Sequence, residues 1–203
     1  MVTLLIILMA YLIGSIPIAY LAGRLAGHNL LNEGSGGVSG SAAIERLGLV
    51  RGSCAGFCDA LKPVAVVVIT QRVSVYDVSA IASVAAVVGH IWPITLRFRG
   101  GRGVGPAGGA LAALGAWPIV IALVGLLLGR VIFKDSAPGV IVGFVGTAVL
   151  VNLTGQSSTL IFTSWLLLVV LGTGRLIGYR KSSVITGRSI GRVILRRLLF
   201  DRD

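Results

Sequence analysis

Five apolar stretches of membrane-crossing length, residues 3–23, 53–70, 78–95, 136–153 and 157–174, leave this chain few ways to fold. A helix rises about 1.5 Å per residue and the hydrocarbon core of a bilayer is about 30 Å thick, so roughly 17 to 25 apolar residues cross it. A soluble domain would need about 25% charged residues, and this chain has 12%, with a mean hydropathy of +0.95. The 29 glycines suit helices that pack closely through small residues. The expected class is an all-α, polytopic integral membrane helix bundle.

A sixth apolar stretch, 104–133, is too long for one untilted helix. The "GAWP" segment from Gly115 to Pro118 divides it, predicting helices over 104–115 and 118–133. That gives about seven spans in a single transmembrane domain over 1–203. The loops at 24–52, 96–103 and 130–135 and the basic tail 175–203 then share one side. Sixteen of the 18 basic residues lie there, leaving Lys62 inside a span and Arg72 opposite. The positive-inside rule makes that side cytoplasmic and puts the N-terminus outside, in the inner (cytoplasmic) membrane. A re-entrant pair at 104–133 has the same parity. The net charge of +11 comes from residues flanking apolar runs, which speaks for membrane orientation and against nucleic acid as a partner. The opening "MVTLLIILMAYLIG" lacks the basic start of a signal peptide and reads as a retained span. Cys54 and Cys58, four apart, read as small packing residues, since two ligands do not close a zinc site. No internal repeat suggests an inverted-repeat transporter.

The unusual segments all fall on the expected cytoplasmic side. The first, "NEGSGGVSGSAAIERLG" from Asn32 to Gly48, is rich in glycine and serine. Gly34, Gly36 and Gly37 can take backbone angles that turn successive amides into an anion-holding concavity, with Ser35 adding a hydroxyl. A plain flexible linker has the same composition. The second, "GHIWPITLRFRGGRGVGP" from His90 to Pro106, sets Arg97, Arg99 and Arg102 around Gly100, Gly101 and Gly103 at the start of a helix. Arg102 could grip phosphate oxygens, and the glycines would let backbone approach them. A basic cluster that merely contacts anionic lipid headgroups remains the other reading. In "CDALKP", Asp59 and Lys62 share a helix face and can pair within a span. His90 is a candidate proton acceptor or a packing histidine. Ser136 is a candidate helix cap or substrate contact.

These segments resemble one family, the bacterial acyl-phosphate:glycerol-3-phosphate acyltransferases of the PlsY type. "YLIGSIPIAYLAGRLAG" is similar to that family's first helix. "GSGGVSGSAAIERLG" is similar to its loop GSGNxGATNxxRxLG, "CDALKP" to its DxLKG, and "GHIWPITLRFRGGRGVGP" to its GHxFPxxxxFxGGKGVAT. The resemblance implies seven spans, cytoplasmic motif loops, and transfer of a fatty acyl group from acyl phosphate to glycerol 3-phosphate in phospholipid biosynthesis. The products would be lysophosphatidic acid and phosphate, with no metal or cofactor. It carries over Ser35 and Arg102 as catalytic candidates, with His90 as a third that could stand in for the family's tail histidine. Gly34, Gly36, Gly37, Arg46, Gly100, Gly101, Gly103, Ser136, Asp59 and Lys62 are carried over as substrate-binding candidates.

The match departs at several positions. Gly37 stands for Asn, Ser41 and Ala42 for Thr-Asn, and Arg102 for Lys, while Gly105 and Pro106 stand for Ala-Thr. The motif arginine falls on Glu45, with Arg46 one position late, and an upstream Asp-x-Arg corresponds to Asn29 and Leu31. In the tail, Lys181 lies near the family's histidine, its asparagine has no counterpart, and Ser189 replaces Glu. Three functions follow as alternatives: an active acyltransferase, a homologue that has lost or altered its chemistry but binds a phosphorylated lipid or partner, and an organic-anion transporter.

Overall fold

The computed structural model describes residues 1–33, 36–132 and 136–177, and the described residues are helical with no strand. Two compact units result, one over Met1–Leu114 and one over Gly115–Ile177.

The first unit contains α1 (Val2–Gly14), α2 (Ile18–Leu25), α3 (Gly40–Leu47), α4 (Leu49–Val73), α5 (Tyr76–Ile91) and α6 (Val104–Ala113). Helix α4 is the hub and packs on α2, α3, α5 and α6, while α1 lies along α5. Buried residues of α4, including Ala55, Asp59, Lys62, Val66 and Thr70, recur at three- and four-residue intervals and form one face. Its other face, with Leu49, Phe57, Leu61, Val68 and Ile69, is apolar yet exposed. That pattern suits a helix whose outer solvent is lipid. Cys54 and Cys58 lie exposed on this outer face as free thiols, which differs from their reading as small packing residues. Their four-residue spacing puts them together on the side that Ala55 and Asp59 do not occupy.

Helix contacts in this unit are made backbone to backbone. A Cβ on Gly14 would strike the Ala86 backbone, and one on Gly89 would strike the Tyr11 carbonyl and come within 3.0 Å of Ser15 N. Helix α6 meets α4 in the same way, with Gly109 against the Ala60 carbonyl. Buried hydroxyls bond their own helix: Thr70 Oγ1 donates to Val66 O (2.7 Å) and Ser83 Oγ to Ala80 O (2.7 Å). Tyr76 Oη reaches Leu114 O at the end of α6 (2.8 Å), taking a carbonyl with no helical partner.

Two features differ from the expectation. The stretch 3–23 is two helices, because Pro17 has no N–H to donate and disfavours helical angles at Ile16. Together they still cover 24 residues from Val2 to Leu25, long and apolar enough to cross a membrane. The glycine-rich segment is also only half loop. Ser39 caps α3, its Oγ accepting from Ala42 N (3.3 Å), and Gly48 at φ +81° ends it.

The second unit holds α7 (Ile119–Ile132), α8 (Ala137–Leu153) and α9 (Ser158–Ile177). The break at "GAWP" is present, with Gly115 at φ +85°. Gly125, Gly139 and Gly143 bring the backbones of α7 and α8 into direct contact, and Thr147 Oγ1 bonds Pro118 O (3.1 Å) and Gly143 O (2.8 Å). Among the described residues, four helical segments are long and apolar enough to cross a membrane: 2–25, 49–73, 76–96 and 158–177. Helix α6, at 10 residues, extends only about 15 Å, half the hydrocarbon thickness.

The glycine contacts give a direct test. Gly89→Ala should destabilise the protein by about 1–3 kcal/mol, the usual range for overpacking, because both contacting groups are backbone or fixed by it. Gly172→Ala on α9 meets nothing within 4 Å and should leave the detergent-solubilised Tm unchanged or slightly higher. Equal melting of the two variants would contradict the α1–α5 packing.

Candidate active site

The two glycine-rich segments meet. Val38 N donates to Gly100 O (3.3 Å), joining the stretch before α3 to the turn before α6. Arg102 Nη1 lies 3.4 Å from Ser41 Oγ, which is itself 3.0 Å from Ser39 Oγ. Arg99 Nη2 reaches Leu31 O (3.4 Å), a second tie between the segments. Gly36, Gly37, Gly100, Gly101, Gly103 and Arg102 are thus brought together beside the first turn of α3. Gly34 and Ser35 lie outside the described residues.

The glycines serve two different needs. Gly36 (φ +66°) and Gly103 (φ +75°) occupy left-handed backbone that side chains disfavour. Gly100 and Gly101 have no positive φ; their side-chain space is taken by the protein itself. A Cβ on Gly100 would meet the His90 and Ile91 carbonyls, and one on Gly101 would meet His90 Nε2 and the Val38 carbonyl. The turn leading into them is strained, since Arg97 (φ +53°) and Phe98 (φ +62°) are consecutive non-glycine left-handed residues. Backbone bonds from Phe98 N to Pro93 O (2.9 Å) and Arg99 N to Leu96 O (3.2 Å) hold that turn.

Behind the loops is a buried ionic group. Lys62 Nζ donates to Gly14 O (2.8 Å) and Ile16 O (2.7 Å), and lies 2.8 Å from Asp59 Oδ1 and 3.4 Å from His90 Nδ1. His90 Nδ1 is 3.6 Å from the same carboxylate oxygen. Asp59 is 2% exposed, and Lys62 and His90 are 7% exposed. Neither Asp59 oxygen has an aligned hydrogen bond among the described residues, so proximity of charge holds the carboxylate. The three residues cluster as their spacing on α4 suggested for two of them, but beneath the loop surface rather than on it.

Two candidates remain. Arg46 is exposed on α3, 3.5 Å from Glu45 Oε1. Ser136 stands at the N-cap position of α8 in the second unit, and its side chain makes no capping bond, contrary to the capping alternative. Sequence reasoning missed the brace preceding Gly34. Glu33 accepts from Asn29 N (2.7 Å) and pairs with His28 Nδ1 (3.0 Å), while Asn29 Oδ1 takes Leu31 N (3.3 Å). The Asn29 amide, then the His28 bond, hold the Glu33 carboxyl below its ordinary value, with Arg46 a minor contributor. Asn followed by a carboxylate four residues on was the available signal.

The glycine assignments separate by substitution. Gly101→Ala should lower both Tm and phosphate-ligand affinity, because His90 or the Val38 backbone must move. Gly108→Ala, with nothing within 4 Å of its Cβ, should keep affinity and gain up to about 1 kcal/mol in helix stability. Isothermal titration with glycerol 3-phosphate and a melting curve for each variant check both.

With this geometry in view, comparison with known proteins is specific. A glycerol-3-phosphate acyltransferase family model matches residues 4–186. The glycerol-3-phosphate acyltransferase 2 of Moorella thermoacetica is 38% identical over 138 residues, covering 66% of this chain and 71% of that protein. The glycerol-3-phosphate acyltransferase of Desulforamulus reducens is 31% identical over 157 residues, covering 76% and 78%. Crystal structures of PlsY (YgiH), an integral membrane glycerol 3-phosphate acyltransferase, share the fold. Its glycerol 3-phosphate form superposes with a TM-score of 0.78 at 23% identity, covering 90% of this chain and 97% of that one. The lysophosphatidic acid form gives 0.76, covering 89% and 95%. The apolar outer faces of its helices and these matches make the protein a multi-pass membrane protein, and the chain belongs to the glycerol-3-phosphate acyltransferase family.

Proposed function

We propose that the joined glycine loops bind two phosphorylated substrates, acyl phosphate and glycerol 3-phosphate, and that the protein transfers the acyl group between them. The observation that carries this is the Val38 N to Gly100 O bond, which makes one site of two distant segments, with Arg102 reaching across to Ser41. Relatives named glycerol-3-phosphate acyltransferase support acyl transfer to glycerol 3-phosphate. A glycerol hydroxyl oxygen attacks the acyl carbonyl carbon, the carbonyl-to-phosphate C–O bond breaks, and the departing phosphate accepts the hydroxyl proton. The products are lysophosphatidic acid and phosphate. Phosphate is a stable leaving group, so positioning and charge stabilisation by Arg102, the loop amides and Ser35 supply the catalysis. Arg102 replaces the family's lysine, offering a bidentate fork where lysine offers a point charge.

The site faces the cytoplasm in this proposal, in the inner membrane, with seven crossings or re-entrant segments and the N-terminus outside. The arginines of the second loop and the basic residues of 175–203 support that orientation through the positive-inside rule. In a background lacking Cys54 and Cys58, Arg97→Cys should label from the cytoplasmic side of sealed vesicles and Arg72→Cys from the other. Labelling of both from one side would reject this orientation.

Purified protein in lipid nanodiscs, given palmitoyl phosphate and labelled glycerol 3-phosphate, should release phosphate and form labelled lysophosphatidic acid in equal amounts. Arg102→Ala should lose about 10²–10³-fold in kcat/KM with an unchanged Tm, the loss typical of one charge-stabilising contact in a dry site. Binding of glycerol 3-phosphate with no turnover by the native protein would point instead to a relative that has kept the site and lost the chemistry.

A further inference from the structure

The buried group of Asp59, Lys62 and His90 connects three things that are remote in sequence. Pro17 interrupts the first helix, and the carbonyls of Gly14, Ser15 and Ile16 lose helical partners there. All three are reached by groups from other segments, although Ile16 O also accepts from Ile18 N (3.1 Å). Lys62 Nζ binds Gly14 O and Ile16 O, and Thr95 Oγ1, from the segment leading into the second glycine loop, binds Ser15 O (2.6 Å). The same ammonium lies beside His90 Nδ1. The other ring nitrogen of His90, Nε2, borders Gly101. The His90 backbone carbonyl accepts from Gly101 N (3.1 Å), and the neighbouring Gly100 carbonyl accepts from Val38 N. One continuous set of contacts therefore runs from the helix break, through the ion pair and His90, into both glycine loops.

We infer that Asp59, Lys62 and His90 are positioning residues, which fix the two glycine loops in register and touch neither substrate. This rests on the acyltransferase reading of the loops. It departs from the roles their sequence motifs suggest, substrate contact for Asp59 and Lys62 and proton acceptance for His90. Burial argues for the difference: Lys62 already has two backbone carbonyls, a carboxylate and an imidazole about it, and His90 lies beneath Gly101. Asp59 supplies the charge that lets an ammonium stay there. A loop displaced by even 1 Å would misplace the reacting groups, a loss of about 10²-fold in rate.

The test must separate positioning from bulk stability. Lys62→Met alone strands a buried carboxylate, so the informative variant is Asp59→Leu with Lys62→Met, an apolar pair of similar volume that a fold often tolerates. Three readings are taken in nanodiscs: Tm, kcat and KM for each substrate with palmitoyl phosphate and glycerol 3-phosphate, and deuterium uptake over residues 36–39 and 94–104. Positioning predicts a Tm near that of the native protein, kcat reduced at least tenfold, and faster uptake in both loop segments. Native kcat and uptake in the double variant would overturn it, as would a rise in KM for one substrate alone with unchanged uptake, the signature of direct contact. If the apolar pair does not fold, Asp59→Asn with Lys62→Gln takes the same readings. His90→Gln, which keeps the backbone bond to Gly101, should show a smaller rise in uptake than the pair. Absence of turnover in the native protein would sink the acyltransferase reading instead, and deuterium uptake would then decide the coupling alone.

Discussion

The ammonium of Lys62 is the contact on which the first unit depends. A helix interrupted at Pro17 inside an apolar layer leaves carbonyls that water cannot reach, and each one unsatisfied costs several kcal/mol. An ammonium in the same layer is equally costly without acceptors and a counter-charge. Here each removes the penalty of the other. Lys62 binds the Gly14 and Ile16 carbonyls, and Asp59, one turn earlier on α4, neutralises it at 2.8 Å. Because His90 borders the same pair, the arrangement reaches from the first helix to the loop surface.

Glycine allows the rest of the structure to close around this centre. Where helices cross, as at Gly14, Gly89 and Gly109, missing side chains let one backbone rest on another. In the loops the same residue type does something else. Gly36 and Gly103 turn the chain through left-handed angles, while Gly100 and Gly101 yield their side-chain space to His90, Ile91, Pro93 and Val38. The crowded pair explains why the loop is not a free linker: its backbone is held on one side by α5 and on the other by the segment entering α3. A site built this way presents amides and arginines from a braced backbone, which suits stabilisation of charge already in place when substrate arrives.

Much of the helical layout was legible. Hydropathy placed α4, α5, α8 and α9 within a few residues of their observed limits, and "GAWP" marked the division between α6 and α7. The i,i+3 spacing of Asp59 and Lys62 announced their pairing. Other features were present in the sequence but outweighed. Pro17 split a stretch that hydropathy alone made continuous, and Ser39 with Gly48 bounded a short helix inside what composition presented as loop. Cys54 and Cys58 were read as small packing residues from residue type, whereas the buried face of α4 is committed to Ala55 and Asp59 and leaves both thiols exposed. Arg46, taken as a substrate contact from its motif, lies on α3 paired with Glu45.

By itself the sequence determined the class of solvent, the helical state and the family. Those follow from local quantities: apolar run length, charge between runs, and motif residues in fixed spacing. Only the tertiary structure decided that Lys62 serves the carbonyls of Gly14 and Ile16, that Thr95 takes that of Ser15, and that Val38 and Gly100 join the two loops. These contacts link residues up to 80 positions apart, and no periodicity encodes them. They arise because, in a dry interior, each unpaired carbonyl and charge must find whichever partner the packing of α1, α4 and α5 brings within reach.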